Sequence, residues 1–134
     1  MTPESPSRGE SAGDDAGAAW PREIVHSRRD RLLKIDFDDG SSFALPAEYL
    51  RVLSPSAEVQ GHGPADRKTV GGKRNVGIEH VEPVGNYAVR LIFDDGHSTG
   101  IYSWSYLHEL GREREQRWKT YLDELDAKGL GRDA

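Results

Sequence analysis

Two histidines and one carboxylate are the residue types in this chain that could hold a reactive metal ion. His80 and Glu82 are one residue apart in HVE, and His97 follows the turn FDDG. This ligand set is that of the non-haem Fe(II) oxygenases, and in a strand His80 and Glu82 would point to the same side. The triplet His-x-Glu is nevertheless common by chance, and a turn-forming proline follows Glu82. The spacing therefore permits an iron site at these residues but does not favour one.

A second motif, GGKRN beginning at Gly71, invites comparison with a phosphate-binding loop. Such a loop needs a glycine five residues before the Gly-Lys pair and a serine or threonine after it. Arg67 and Arg74 occupy those two places. We therefore expect a mobile basic loop here instead.

The serines and aspartates also lack the setting that catalysis requires. No Gly-x-Ser-x-Gly motif is present, and Ser54 and Ser56 have no base near them in sequence. The paired aspartates at 38–39 and 94–95 suit solvated turns, whereas acid–base catalysis needs carboxylates that converge in a sheltered cleft. The expectation is a protein without enzymatic activity and without a cofactor.

Composition narrows the class of protein further. The chain has 134 residues and a mass of 14.9 kDa, which suits one domain with a modest core. Its formal charge of −5 argues against nucleic-acid binding and against attraction to an acidic membrane. Without any cysteine it can form no disulfide and no thiolate metal site. Neither a membrane span nor a secretory signal is visible, so the cytoplasm is the expected location.

The distribution of apolar residues predicts three segments. Residues 1–19 offer no bulky apolar group and are predicted to be a disordered acidic tail. Apolar residues recur from Trp20 onwards, so residues 20–128 are predicted to form one domain, followed by a C-terminal tail at 129–134.

The tetrapeptide FDDG occurs twice, at 37–40 and 93–96. Around the first copy, apolar and polar residues alternate with the period of a half-buried strand. A three-residue loop at 38–40 keeps the apolar residues of both strands on one face, and its third residue must be left-handed, which glycine allows. The strand pairs predicted from this loop are Ile35 with Phe43 and Leu33 with Leu45.

The same counting of residues in the second copy predicts a three-residue loop at 94–96. A Tyr-Leu pair follows each hairpin, nine and ten residues beyond the glycine, so the repeated unit is a hairpin and a short helix. A true duplication and the general frequency of Asp-Gly turns explain the repeat equally well. In either case we expect two hairpins that are parts of one sheet. The pairs predicted for the second hairpin are His97 with Phe93, Leu91 with Thr99 and Val89 with Ile101.

The remaining segments predict a long loop, a further strand and two helices. Residues 54–75 are rich in Gly, Pro and charge and form a loop of the kind that is either functional or mobile. Residues 76–84 are predicted to form a strand. Ser103 is predicted to cap a helix from Trp104 to about Leu110, which Gly111 ends or weakens.

A longer helix is predicted from residue 113 to residue 127, because Trp118, Leu122 and Leu125 recur at i, i+4 and i+7. This stripe is predicted to pack on the sheet, and a partner-binding face is the alternative. The fold class expected is α+β: a small β-rich domain, mainly an antiparallel sheet built from two hairpins, with short helices and a C-terminal helix.

Three stretches together resemble a known family. They are the DDG turn, LPAEYLRVLSPSAEVQGHGP from residue 45, and VEPVGNYAVRLIFDDGHSTGIYSWSYLHELG from residue 81. The chain resembles the gamma-butyrobetaine hydroxylase-like N-terminal domain family, in particular its small stand-alone bacterial members of unknown function, over roughly residues 24–125. The resemblance implies that in the longer hydroxylases this domain precedes the oxygenase domain, and we expect a stand-alone domain without it here.

The resemblance implies a structural zinc site in the longer relatives, with three cysteines and one histidine. Aligned on Tyr-Leu-Arg, the cysteine positions are Ser54, Ser56 and Val59 here, and the histidine position is His97. Valine has no donor atom and serine hydroxyls are poor zinc ligands. We expect no metal at these vestigial positions, and we expect the segment from Ser54 to Val59 to lie against His97.

The function that we expect is a non-enzymatic binding or adaptor module for a protein partner, with contacts at Arg51, Glu58, His62 and His97. A purely structural role is the alternative for Arg51 and His97, through contacts within the domain and across the former metal site. Two other functions remain open. One is binding of iron or zinc through His62, His97 and Glu58, and the other, suggested by related domains, is an accessory role near iron–sulfur cluster assembly.

Overall fold

The computed structural model describes residues 19–61 and 68–133. The predicted disordered tail, apart from Ala19, therefore lies outside the described residues, as does His62. The strands are β1 Pro21–Ser27, β2 Leu32–Phe37, β3 Ser42–Pro46, β4 Ile78–Val84, β5 Ala88–Phe93 and β6 Ile101–Ser103. The helices are α1 Ala47–Val52, α2 Ala57–Gln60, α3 Trp104–Arg112 and α4 Arg114–Ala127. Within the described ranges, no helix is long and apolar enough to cross a membrane.

The strands form two antiparallel sheets, in the orders β1-β2-β3 and β4-β5-β6. The α+β class with two hairpins and a C-terminal helix is thus confirmed, but the prediction of one shared sheet is wrong. Each hairpin takes its third strand from the sequence just before it, because sequential strands pair most readily. Each sheet is followed directly by a helix, α1 after β3 and α3 after β6.

The register of the first hairpin is confirmed, with Ile35 opposite Phe43 and Leu33 opposite Leu45. The amide of Phe37 donates to the carbonyl of Ser41 at 2.8 Å, which closes a loop of three residues. Gly40, the third of them, has φ of +91°, a conformation that costs glycine no steric strain.

The second hairpin begins as predicted and then departs from the predicted register. The amide of Phe93 donates to the carbonyl of His97 at 2.9 Å, but Leu91 donates to Gly100 rather than pairing with Thr99. Val89 lies opposite Tyr102 rather than Ile101, so one extra residue is accommodated between His97 and Ile101. The extra residue puts Tyr102 in the core and leaves Ile101 45% exposed. The ten-residue spacing from Gly96 to the second Tyr-Leu pair, against nine in the first copy, is its sequence signal.

The two hairpin–helix units hold each other through reciprocal contacts. The hydroxyl of Tyr49 in α1 donates to the carbonyl of Leu110 in α3 at 2.6 Å. The hydroxyl of Tyr106 in α3 donates to the carbonyl of Leu53, just after α1, at 2.5 Å. Tyr49 and Tyr106 are equivalent residues of the repeat, as are Leu53 and Leu110. Each tyrosine thus contacts the other unit's leucine, and the same contact occurs in both directions. Such reciprocal contacts are typical of a two-fold arrangement.

The aspartates of the two turns make a second pair of reciprocal contacts between the units. Asp39 in the first turn contacts Nε2 of His108 in α3 at 2.9 Å, while Asp95 in the second turn accepts from Nε of Arg51 in α1 at 2.8 Å. His108 and Arg51 both follow the Tyr-Leu pair. Each hairpin turn is therefore tied to the helix of the other unit, and this reciprocity favours two related units over two chance Asp-Gly turns.

Apolar residues from both sheets and from α1, α3 and α4 form one core. The largest fully buried aliphatic side chains are Leu33, Ile35, Leu45, Leu50, Leu91, Leu107 and Leu110. Burial of this kind is the main stabilising contribution to such a fold.

The capping of α3 by Ser103 is confirmed, since its hydroxyl accepts from the amide of Tyr106 at 3.1 Å. The predicted stripe of α4 is correct only in part: Leu125 is buried, but Tyr121 takes the buried place expected of Leu122, which is 38% exposed. The contacts of α4 also differ from a helix on a sheet. Trp118 packs edge-on against Tyr49 of α1 at 6.3 Å between ring centroids, and the hydroxyl of Tyr121 donates to the carbonyl of Val70 at 2.6 Å.

Gly111 does not end α3, which continues to Arg112. A Cβ at this position would lie 2.3–2.6 Å from ring atoms of Phe43. Gly111→Ala should therefore destabilise the protein by about 1–3 kcal/mol through overpacking, although alanine favours an isolated helix by about 1 kcal/mol. Urea denaturation of both proteins measures the difference.

The matched control is the same substitution in a Phe43→Ala background, where the ring is gone and the helix preference of alanine should become visible. Equal destabilisation by Gly111→Ala in both backgrounds would contradict the packing explanation.

Candidate functional site

The residues whose side chains could take part in chemistry lie where the loop after α1 meets the second hairpin. We call the group Ser54, Ser56, Glu58, His97 and Thr99 the His97 cluster. The first three belong to residues 53–60, which include α2, and the last two belong to the irregular segment 97–100. The proximity of the Ser54–Val59 segment to His97 that was predicted from the resemblance is found in the structure.

His97 is buried and bonded at both ring nitrogens. Its Nε2 lies 2.9 Å from Oγ of Ser54, and its Nδ1 lies 3.1 Å from Oε1 of Glu58. Because an ionised carboxylate only accepts hydrogen bonds, Nδ1 carries the proton and Nε2 of the neutral ring accepts from the Ser54 hydroxyl. Oγ of Ser54 in turn accepts from the amide of Ser56 at 3.2 Å. The hydrogen bonds thus form one chain from the Ser56 amide to the Glu58 carboxylate.

The remaining vestigial positions also connect the two segments. Oγ of Ser56 lies 2.7 Å from Oγ1 of Thr99 and also accepts from the amide of Glu58, which caps α2. Val59 is buried. Ser54 and Ser56 therefore join the loop to the hairpin by hydrogen bonds.

Gly100 makes the close approach of these segments possible. A Cβ on Gly100 would lie 2.5 Å from Oγ of Ser54 and 3.1 Å from the ring of Tyr102. In the repeat, Gly100 corresponds to Phe43, since each lies six residues before the tyrosine of Tyr-Leu. The place that an aromatic ring fills in the first unit has no side chain from Gly100 in the second, and the hydroxyl of Ser54 lies there.

The order Ser54, His97, Glu58 matches the hydrogen-bond order of a serine-hydrolase triad. No local motif indicates a base beside Ser54, because residue 97 is remote in sequence; the expectation that His97 lies against this segment came from the family resemblance. In such a triad the serine is accessible to the substrate and the carboxylate is buried. Here the exposure is reversed: Ser54 is fully buried, whereas the side chain of Glu58 is 62% exposed. The buried hydroxyl of Ser54 is thus a member of the hydrogen-bond chain, and the exposed end of the chain is the Glu58 carboxylate.

Arg51 belongs to an adjoining group of charges around Asp95. Oδ2 of Asp95 accepts from Nε of Arg51 at 2.8 Å and from Nζ of Lys73 at 2.6 Å, while its Oδ1 accepts from the amide of His97 at 3.0 Å. Burial by itself raises the pKa of Asp95, but the bonds from Lys73, the His97 amide and Arg51 outweigh it and lower the pKa to about 2. Nη1 of Arg51 is buried without a hydrogen-bond partner in the part of the chain that the structure describes.

This ion-pair group explains two motifs from the sequence. Lys73, the lysine of GGKRN, binds Asp95, so its role here is in an internal ion pair. Arg51 acts within the domain, which agrees with the structural alternative for this residue. Lys73, Asp95, Thr99 and Gly100 were not among the predicted site residues; the nine-against-ten spacing of the repeat was the one sequence signal for this region.

The iron hypothesis at His80 and Glu82 is not supported by the geometry. Among residues 19–61 and 68–133, no three His, Asp or Glu side chains are grouped to hold a metal ion. Glu82 accepts from Arg90 at the surface, and His80 is exposed. For zinc, the described residues supply two donors, His97 and Glu58, and His62 lies outside the described residues.

The environment of His97 predicts a dependence of stability on pH. Burial, and then the charge of Arg51, lower the pKa of His97 below 6.5, against the opposing effect of Glu58 and Asp95. Below pH 6.5 the unfolded chain therefore binds more protons at this residue than the folded protein does. The free energy of unfolding should fall as the pH drops through and below 6.5.

Urea denaturation at pH values on either side of 6.5 measures this slope, and NMR titration of the His97 ring measures its pKa directly. His97→Gln is the control, since it retains hydrogen bonding without a titratable ring and should reduce the slope. An unchanged slope in that variant would assign the pH dependence to other groups.

Comparison with known proteins places this geometry in context. Residues 24–108 match the family model "Gamma-butyrobetaine hydroxylase-like, N-terminal". No curated protein matches the chain.

Several solved structures are similar to the chain. Two NMR solution structures share 46% and 43% sequence identity with it, with TM-scores of 0.75 and 0.76. The alignments cover 86% and 91% of this chain and 90% and 91% of the other chains. A crystal structure of a protein of unknown function from Acidithiobacillus ferrooxidans, assigned to the DUF971 family, shares 41% identity with a TM-score of 0.55. That alignment covers 68% of this chain and 91% of the other. The extent of the family match and these identities show that the chain belongs to the gamma-butyrobetaine hydroxylase-like, N-terminal family.

Proposed function

We propose that this domain is a non-enzymatic binding module that recognises a protein partner with the surface above the His97 cluster. The observation that carries the proposal is the way the cluster is satisfied. Ser54 and His97 bond to each other beneath the surface, and Glu58, which bonds His97 from above, has a side chain that is 62% exposed. A buried network that holds an exposed carboxylate in one position suits recognition better than catalysis.

A largely buried group of charges borders this surface. Lys73 and Arg51 form ion pairs with Asp95. Asp95 belongs to the turn that immediately precedes His97. Positive and negative groups held in fixed positions select partners by charge complementarity and suppress wrong ones. Because Arg51 and His97 also support the fold, Glu58 is the position at which recognition can be tested with least effect on stability.

The test is a charge reversal, Glu58→Lys, compared with Glu23→Lys, which reverses an exposed glutamate on β1. Affinity purification from the native source should recover a partner with the wild type and with Glu23→Lys. Glu58→Lys should recover less than about a tenth of it, since a like-charge contact costs at least as much as one ordinary hot-spot contact.

Circular dichroism and urea denaturation establish that both variants are folded. Equal recovery of every partner by the two variants would overturn the assignment of this surface.

Metal binding is the second candidate, favoured by the position of Glu58 relative to His97. The 3.1 Å between Oε1 and Nδ1 is a hydrogen-bond distance and is also close to the separation of two ligands on one zinc ion. With His62 as a third ligand, a divalent ion would replace the proton on Nδ1 and join the three side chains.

Specific binding to the folded state must raise the melting temperature by mass action. If this second candidate is right, buffered micromolar Zn²⁺, Ni²⁺ or Fe²⁺ will stabilise the wild type, and the shift will disappear in His62→Ala and Glu58→Gln. A wild type that is unaffected by all three ions would rule out this candidate while leaving the partner-binding proposal intact.

A further inference from the structure

The segment after α4, residues 129–133, returns to the body of the domain and binds there as a peptide would. The carbonyl of Gly131 accepts from the amide of Gly72 at 2.9 Å, and the carbonyl of Arg132 accepts from the amide of Arg74 at 3.0 Å. We call residues 129–133 the return segment. Its main chain is therefore held by main-chain groups of the 71–74 loop.

Arg132 supplies the principal side-chain contact of the return segment. Its Nε and Nη2 donate to the two carboxylate oxygens of Glu48 at 2.9 and 2.7 Å, a bidentate pair. The side chain of Glu48 is only 7% exposed, and the guanidinium lies 5.2 Å from the centre of the Trp118 ring. A buried carboxylate and an indole face together recognise a planar cation, and bidentate geometry favours arginine over lysine.

The following residue continues the pattern with opposite charge. Oδ1 of Asp133 lies 2.6 Å from Nε of Arg74. Successive side chains of the return segment thus meet Glu48 and Arg74, a negative and then a positive group. The body of the domain reads the dipeptide Arg-Asp by complementary charges as well as by main-chain hydrogen bonds.

The attachment of the return segment is otherwise weak. Leu130 is 46% exposed, and glycines precede and follow it, the first with φ of +67°. Arg132 also leaves room beside it, in a cleft of about 540 Å³ that is lined as well by Pro46, Tyr49, Arg114 and Glu115. A segment held by one arginine and a few polar bonds, next to unused space, can be exchanged for a larger ligand.

We propose that the cleft formed by Glu48, Trp118 and the amides of the 71–74 loop is a binding site for an extended, arginine-containing peptide of a partner protein. Arg132 of the same chain occupies this site in cis. The site is separate from the His97 cluster and does not depend on the function proposed for that cluster. A partner competes with a tethered occupant whose effective concentration is on the order of millimolar, so the return segment sets a threshold for binding.

The experiment uses the full chain with Arg132→Ala, which empties the guanidinium position while the rest of the protein is retained. The probes are acetyl-Gly-Leu-Gly-Arg-Asp-amide, which reproduces residues 129–133, and the same peptide with lysine in place of arginine. Titration is followed by the NMR signal of the Trp118 indole, identified with Trp118→Phe.

The arginine peptide should bind Arg132→Ala at least about tenfold more tightly than the wild type, in which the tethered segment competes. The lysine peptide should bind more weakly, and Glu48→Gln/Arg132→Ala should lose the preference for arginine. If Arg132→Ala does not fold alone, folding restored by the arginine peptide and not by the lysine peptide also supports the site.

The proposal is overturned if folded Arg132→Ala shows no change at Trp118 with millimolar arginine peptide. It is also overturned if the two peptides bind equally, if the double variant binds like the single one, or if neither peptide restores an unfolded Arg132→Ala.

Discussion

The rest of the structure depends on two reciprocal hydrogen bonds, in which a tyrosine hydroxyl of each hairpin–helix unit donates to the other unit. Tyr49 donates to Leu110 and Tyr106 donates to Leu53, so each unit satisfies a carbonyl at the end of the other unit's helix. Burial raises the pKa of Tyr49, which keeps its phenol protonated as a donor. These bonds place α1 beside α3, and with them the loop after α1 beside the second hairpin. The His97 cluster lies at that junction.

The reciprocity has one break, and the break creates the site. In the first unit Phe43 packs against Gly111, whereas in the second unit Gly100 packs against Ser54, the residue that corresponds to Gly111. The larger residue of the pair belongs to the hairpin in the first contact and follows the helix in the second. A ring fills the space in one half, and a serine–histidine hydrogen bond fills it in the other. The two units of similar topology therefore differ at this position, with a ring in one and a hydrogen-bonded serine in the other.

The cluster occupies the positions that the resemblance assigns to a zinc site in longer relatives. Here, hydrogen bonds from Ser54 and Ser56 join the same two segments. A network of neutral groups holds such segments together only if every member finds a partner, since an unsatisfied buried group is costly. Ser54, Ser56 and His97 meet this condition through one another and through Glu58 and Thr99. The network therefore holds the two segments together, and Glu58 and Thr99 are its exposed members.

Local sequence alone determined the hairpins, their glycine turns, the register of the first hairpin and the cap of α3, because alternation, turn length and capping act over a few residues. The family resemblance further predicted that Ser54–Val59 would lie against His97. Only the tertiary structure decided that the hairpins form two sheets, that Tyr121 faces inward in place of Leu122, and that Asp95 and Lys73 join Arg51. The extra residue before Ile101 was visible as a change of spacing, but its consequence was not, because a bulge acquires meaning only from what packs against it. Ser54 and His97 are 43 residues apart in sequence, and no local pattern specifies a contact that exists only where the two hairpin–helix units meet.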